Sequence, residues 1–134
     1  MREAMIRQTV GQSGDEGHAT AATASAMHRL FLQLDPLIGG QAVHALYNRS
    51  LHLAAAGLER SPVLSERSYD MAISDLQRQL RERKPDAGRA AGLALLDAFT
   101  SLLASLVGES ITLRVMHSAW DDLAAIRAPM EIPQ

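Results

Sequence analysis

Five histidines, His18, His28, His44, His52 and His117, have the widest chemical repertoire of any side chains in this chain. A zinc site needs several ligands converging at about 2.0–2.1 Å. His44 and His52 fall in one helical segment, eight residues apart. That spacing is about 12 Å of helix rise, too far to share an ion. No His-Glu-x-x-His motif and no i,i+4 histidine pair occurs, so neither a metal nor a cofactor is expected. A single histidine on a helix face can still act alone, and His44 is the candidate phosphoacceptor.

The carboxylates are less specific. Asp97 lies within the most apolar stretch of the chain, where a buried carboxylate would need a partner, and Arg114 is the candidate. Glu109 opens the last helical segment, where a negative charge suits the helix dipole. Asp121 and Asp122 follow Trp120. General acid–base work requires paired carboxylates in a cleft with separated pKa values, and the sequence shows acids without a cleft. An internal pocket lined by Asp97, Arg114, His117 and Trp120 is the small-molecule alternative. No Gly-x-Ser-x-Gly elbow accompanies the serines, and Gly39-Gly40 lacks the lysine of a phosphate loop. No catalytic residue is assigned, and a non-enzymatic role is expected.

Helices must position these side chains, because runs of alternating Val, Ile, Thr and aromatic residues between hairpin turns are missing. The segment Ala90 to Val107 is apolar on nearly every side, with Leu96, Phe99, Leu103 and Leu106 on one face. A helix of that kind is buried at the centre of a bundle. It is also long enough to cross a bilayer, but Asp97 at its middle would cost about 2.5–3.5 kcal/mol on insertion. The sequence is therefore read as having no membrane span.

A first helix is predicted from about Ala19 to Leu34, its stripe being Met27, Leu30, Phe31 and Leu34. Asp35-Pro36 should break it, leaving Pro36 to Ile38 as a single turn. A second runs from Gly40 to about Ala56, ahead of Gly57. A third runs from Ser68 to about Lys84, with a narrow stripe of Tyr69, Ile73, Leu76 and Leu80, and Ser65 or Ser68 as its cap. Asp86 should cap the central helix, Gly108 should end it, and Ser110 should cap the last, which carries Ile111, Val115, Ala119 and Leu123. No internal repeat is evident. The expected organisation is a flexible tail over residues 1–18, one all-α bundle of four main helices plus a short one over 19–127, and a tail over 128–134.

The 134 residues suit one core, and 47% apolar with 21% charged residues is ordinary for a folded domain. A net charge of -2 argues against a nucleic-acid partner. Arg78, Arg81, Arg83 and Lys84 cluster where a helix ends, complementing its carbonyl terminus. The absence of cysteine excludes disulfides, thiolate zinc sites and a cysteine nucleophile, and fits a cytoplasmic location. Residues Met1 to Thr20 lack the apolar core of a signal peptide.

Three resemblances bear on function. His44-Ala45-Leu46-Tyr47-Asn48-Arg49-Ser50 resembles the His-x-Leu-Lys-Gly motif of histidine phosphotransfer domains at the histidine and the leucine. Tyr47 and Asn48 stand where that motif has Lys-Gly. The resemblance implies a helical bundle with an exposed, phosphorylated His44. Leu37-Ile38-Gly39-Gly40 resembles the opening of truncated globins, but the aromatic lining and proximal histidine of a haem pocket are missing. Leu37 to Gly40, Ala45 to Leu51, Leu102 to Arg114 and Trp120 together resemble a group of small helical bacterial proteins of unassigned function, which imports no activity. The resulting expectation is a bacterial signalling adaptor that binds a protein partner through helical faces. Surplus apolar surface on the first or last helix would support a homodimer.

Overall fold

The computed structural model describes residues 4–7, 16–54, 57–58 and 69–127, with side chains described for 4–7, 21–54, 57–58 and 69–121. Among these residues every regular element is a helix, as the composition predicts. The helices are α1 (Glu16–Ile38), α2 (Gly40–Leu53), α3 (Tyr69–Arg81), α4 (Pro85–Val107) and α5 (Glu109–Arg127). Residues 4–7 add one helical turn.

Contacts along the helices fix their directions. A Cβ placed on Gly92 of α4 would lie 2.6 Å from Thr23 Oγ1 of α1. Farther along the same two helices, the Phe31 and Phe99 rings are 6.0 Å apart. α1 and α4 are therefore parallel. Tyr69, at the start of α3, meets Phe31 near the end of α1, with ring centroids 5.0 Å apart. Leu80, near the end of α3, lies against Gly88 at the start of α4. α3 is thus antiparallel to both. α2 and α5 each turn back at a glycine, α2 packing chiefly on α4 and α5 chiefly on α1.

The core is a layer of large apolar side chains with almost no water contact: Met27, Leu30, Phe31 and Leu34 from α1, Leu76 and Leu80 from α3, Leu95, Leu96, Phe99 and Leu103 from α4, and Met116 from α5. The predicted central helix is α4, and it packs on all four other helices. It shares that position with α1, which does the same. α4 is the one described helix long and apolar enough to cross a membrane. Leu106, expected on its buried face, is 60% exposed. It sits in the last turn, beyond the partners that cover Leu103.

Several boundaries differ from expectation. Pro36 lies inside α1 rather than ending it. A proline this close to a C-terminus removes a single ladder bond, and the turn still closes, Gly39 N–H donating to the Asp35 carbonyl at 2.9 Å. α2 stops at Leu53, with Ala54 as its C-cap. α3 stops at Arg81, because Lys84 must be extended ahead of Pro85. Lys84, not Asp86, is the N-cap of α4; Pro85 takes the first position and Asp86 the first turn, where its charge faces the dipole. Ser110 caps nothing, since α5 begins at Glu109 directly after Gly108. Ile111, expected on the buried stripe, is exposed, and Thr112 takes the buried position. Ser65, Ser68 and residues 128–134 lie outside the described residues, as does the Leu123 side chain. Residues 4–7, expected within a tail, are docked on the bundle, and α1 starts at Glu16.

The structure also contains a repeat that the sequence does not announce. α1 and α4 each have 23 residues. Each ends at a single linking residue, a glycine in a conformation L side chains avoid: Gly39 at φ 88, ψ 156 and Gly108 at φ 94, ψ 155. Each corner closes with the same bonds, Gly39 N–H to Asp35 and Val43 N–H to Gly39 in one, Gly108 N–H to Ala104 and Thr112 N–H to Gly108 in the other. Shifted by 69 positions, the buried residues correspond: Ala22 with Ala91, Met27 with Leu96, Leu30 with Phe99, Leu34 with Leu103, Tyr47 with Met116, Ser50 with Ala119. Thr23 and Gly92 are themselves equivalent and touch. The two helix–glycine–helix halves are related by a pseudo-twofold axis between α1 and α4, each long helix packing on the other half's short one.

Candidate functional site

α3 lies outside this symmetry, seated on α1. At that seat four of the chain's five Phe, Tyr and Trp residues meet. Phe31 contacts Tyr47 edge-on at 5.0 Å, Tyr69 at 5.0 Å and Phe99 at 6.0 Å. The Tyr69 hydroxyl donates to Asp35 Oδ1 at 2.5 Å. Burial raises the Tyr69 phenol above its ordinary range, and the hydrogen bond and charge of Asp35 add to this. Burial also raises Tyr47, with Asp75 contributing. Asp75 is held by Arg78 at 2.6 Å and by Gln79 at 2.9 Å. His28 Nε2 stands 3.6 Å from Asp70 on α3.

His44 belongs to this cluster. Its ring stacks on Tyr69, with centroids 5.1 Å apart. It is only 8% exposed, and its Nε2 has no hydrogen-bond partner, nor does Asn48 Oδ1 one turn on. A phosphoacceptor must face an incoming domain, and the Tyr69 ring occupies that approach. The cause is local: Val43 and Tyr47 flank His44 on the buried side of a helix that leaves its glycine corner toward the core.

In the other half residues 4–7 pack on α4 and α5, beside Asp97, the counterpart of His28. Ile6 is 3% exposed. Trp120 Nε1 donates to the Met5 carbonyl at 3.0 Å. Beside this turn is a groove of about 290 Å³ lined by Ile6, Arg7, Leu93, Ala94 and Asp97. Asp97 is exposed, so the argument that a buried acid requires Arg114 lapses. Of the four residues expected around an internal pocket, the structure brings two to residues 4–7, Asp97 in the wall of an open groove and Trp120 bonded to Met5. It leaves Arg114 and His117 exposed at the surface. Glu109 is exposed in the first turn of α5, as its dipole role requires. Among the described residues no group of three or more His, Asp or Glu could hold a metal.

Sequence reasoning missed Ile6, Arg7, Leu93 and Ala94 as site residues. The available signal was the pair Met5-Ile6 in an otherwise polar stretch, too short to register as a periodic element. No family model, curated protein or solved structure matches the chain.

Proposed function

We propose that this protein is a non-enzymatic interaction module, a cytoplasmic bacterial signalling adaptor that binds a protein partner in the groove between residues 4–7 and α4. The observation that carries the reading is that one wall of this groove is itself a peptide segment docked on helices. Ile6 is buried against the bundle, and the Met5 backbone is bonded by Trp120. Burying an Ile side chain and satisfying an indole N–H are the ordinary means by which a helix surface captures a short apolar sequence. The burial of His44 weighs against a relay role.

A photo-crosslinking residue placed at Ala94, inside the groove, tests the reading in cells. The control position is His52, exposed on α2. The expected result is a discrete adduct with another protein at position 94 and none at position 52. Equal labelling at both positions, or none at 94, refutes it. An adduct with the mass of two copies identifies a homodimer instead.

A further inference from the structure

We infer that α3 is a proton-sensitive latch: uptake of a proton by His44 releases the first turn of α3 from its seat on α1. The latch is independent of the groove beside residues 4–7.

Among the histidines whose side chains are described, His44 alone is buried. Its Nε2 is sealed from water and has no hydrogen-bond partner, and Asn48 Oδ1 on the next turn of the same helix does not bond it. A neutral imidazole forfeits one hydrogen bond in that position. An imidazolium must donate from both nitrogens and hold a charge away from water, which costs far more. The described groups around it supply no free counter-charge. On α1, Asp35 accepts the Tyr69 hydroxyl through Oδ1, and His28 adds no negative charge. On α3, Asp70 faces His28 at 3.6 Å, Asp75 is held by Arg78 and Gln79, and the Tyr69 phenol, raised by burial, stays neutral. The part of α4 alongside the start of α2, residues 98–108, contains no titratable side chain. On α2 itself Arg49 and His52 are exposed and add no negative charge.

Relief requires a movement that admits water to Nε2. α2 is held in the core by Val43, Tyr47, Ser50 and Leu51. α3 is the element free to move, since it lies outside the two symmetric halves and packs chiefly on α1 and α4. The ring stacked on His44 belongs to its first residue, Tyr69. Lifting that residue breaks the bond to Asp35 and the contact with Phe31, and uncovers the imidazole. His28 acts in the opposite sense. Once protonated it attracts Asp70 and holds the same turn down, with the small strength of an exposed pair.

The sign follows from where the proton is held. In the lifted state His44 takes up a proton as a free imidazole does, at about pH 6.5. The closed seat gives the charged form no partner, so opening grows more favourable as pH falls through about 6.5 and is indifferent to pH above it. One proton shifts the opening equilibrium by about tenfold between pH 7.5 and 5.5.

Hydrogen–deuterium exchange of the full chain at pH 7.5 and 5.5, normalised to intrinsic exchange rates, reads the opening of each helix. Protection of the α3 amides from Ala72 to Leu80 is expected to fall at least about threefold at the lower pH, while that of Leu95 to Leu103 in α4 holds. His28→Gln removes the opposing pair and should bring the fall to about tenfold. His44→Phe keeps a stacked ring without a titrating nitrogen, and His44→Gln is its polar alternative. In each, α3 protection is expected to be the same at both pH values. A wild type without the α3 fall, an equal fall in α3 and α4, or a fall that persists in either folded His44 variant overturns the inference. A fall that His28→Gln abolishes assigns the effect to the His28–Asp70 pair and also overturns it.

Discussion

Replacing Gly92 with alanine tests the closest approach in the molecule. The added methyl would stand 2.6 Å from Thr23 Oγ1, 3.1 Å from its Cγ2 and 3.3 Å from its Cβ. Carbon contacts are optimal at about 3.5–4.0 Å, so all three distances overlap. Threonine is β-branched and has no flexible end that can swing away. Overpacking of this kind costs about 1–3 kcal/mol. Alanine in place of a mid-helix glycine returns about 1 kcal/mol. Gly92→Ala should therefore lie between neutral and about 2 kcal/mol destabilising, as the difference of those two effects. Thr23→Ala removes a methyl, worth about 0.8 kcal/mol. It also removes a buried hydroxyl that has no partner, an orphan that costs about 1–3 kcal/mol. In the double variant the alanine methyl at 92 enters the space that Thr23 vacates, so the overlap disappears and the helix gain stays. The coupling should be favourable by at least about 1 kcal/mol, with the double variant more stable than the wild type. Urea denaturation followed at 222 nm measures all four corners of the cycle. Additivity within about 0.5 kcal/mol would mean that α1 and α4 do not cross at these residues, and the parallel pair and its pseudo-twofold axis would go with them.

Three further outcomes follow from the same packing. Leu103→Ala should lower stability by about 2–5 kcal/mol, since Leu103 is fully buried between α4 and its neighbours; an unchanged urea midpoint would contradict its place in the core. Gly39→Ala and Gly108→Ala should each cost about 1–3 kcal/mol through backbone strain alone, because no atom lies near either added Cβ. The two losses, measured by thermal melts, should agree closely, and a large disparity would deny that the corners are equivalent. Both tyrosines have phenols raised above the ordinary value, chiefly by burial. Their contribution is intact below the unfolded pKa of about 10 and declines as pH rises above it. Urea midpoints from pH 9 upward should therefore fall, and Tyr47→Phe with Tyr69→Phe should flatten that fall; an unaltered slope would exclude these phenols as its cause.

The helices were legible because their signals are local. The stripe Met27, Leu30, Phe31, Leu34 and the glycines at 39 and 108 state an element and its end within a few residues. Caps were less legible, since Asp86 and Ser110 are good capping residues that lost their positions to Pro85 and to an immediate restart after Gly108. The repeat is not visible in the sequence because it preserves burial rather than identity. Phe31 corresponds to Thr100 and Tyr47 to Met116, changes that keep a buried position buried while erasing sequence similarity. The groove could not be read at all. It depends on where Ile6 and Arg7 come to rest against α4, a tertiary choice that no local pattern states.

The departures from symmetry, more than the symmetry itself, carry the functional reasoning. Two equivalent seats arise wherever two like halves pack about an axis, and each exposes apolar positions that must be covered. One is closed by α3, whose Tyr69 and Asp70 reach Asp35 and His28 and whose ring packing draws in His44. That seat is committed to stability, and the histidine with the most suggestive sequence context is spent inside it. On the other half residues 4–7 pack beside Asp97, the counterpart of His28, with Ile6 buried and the Asp97 carboxylate exposed.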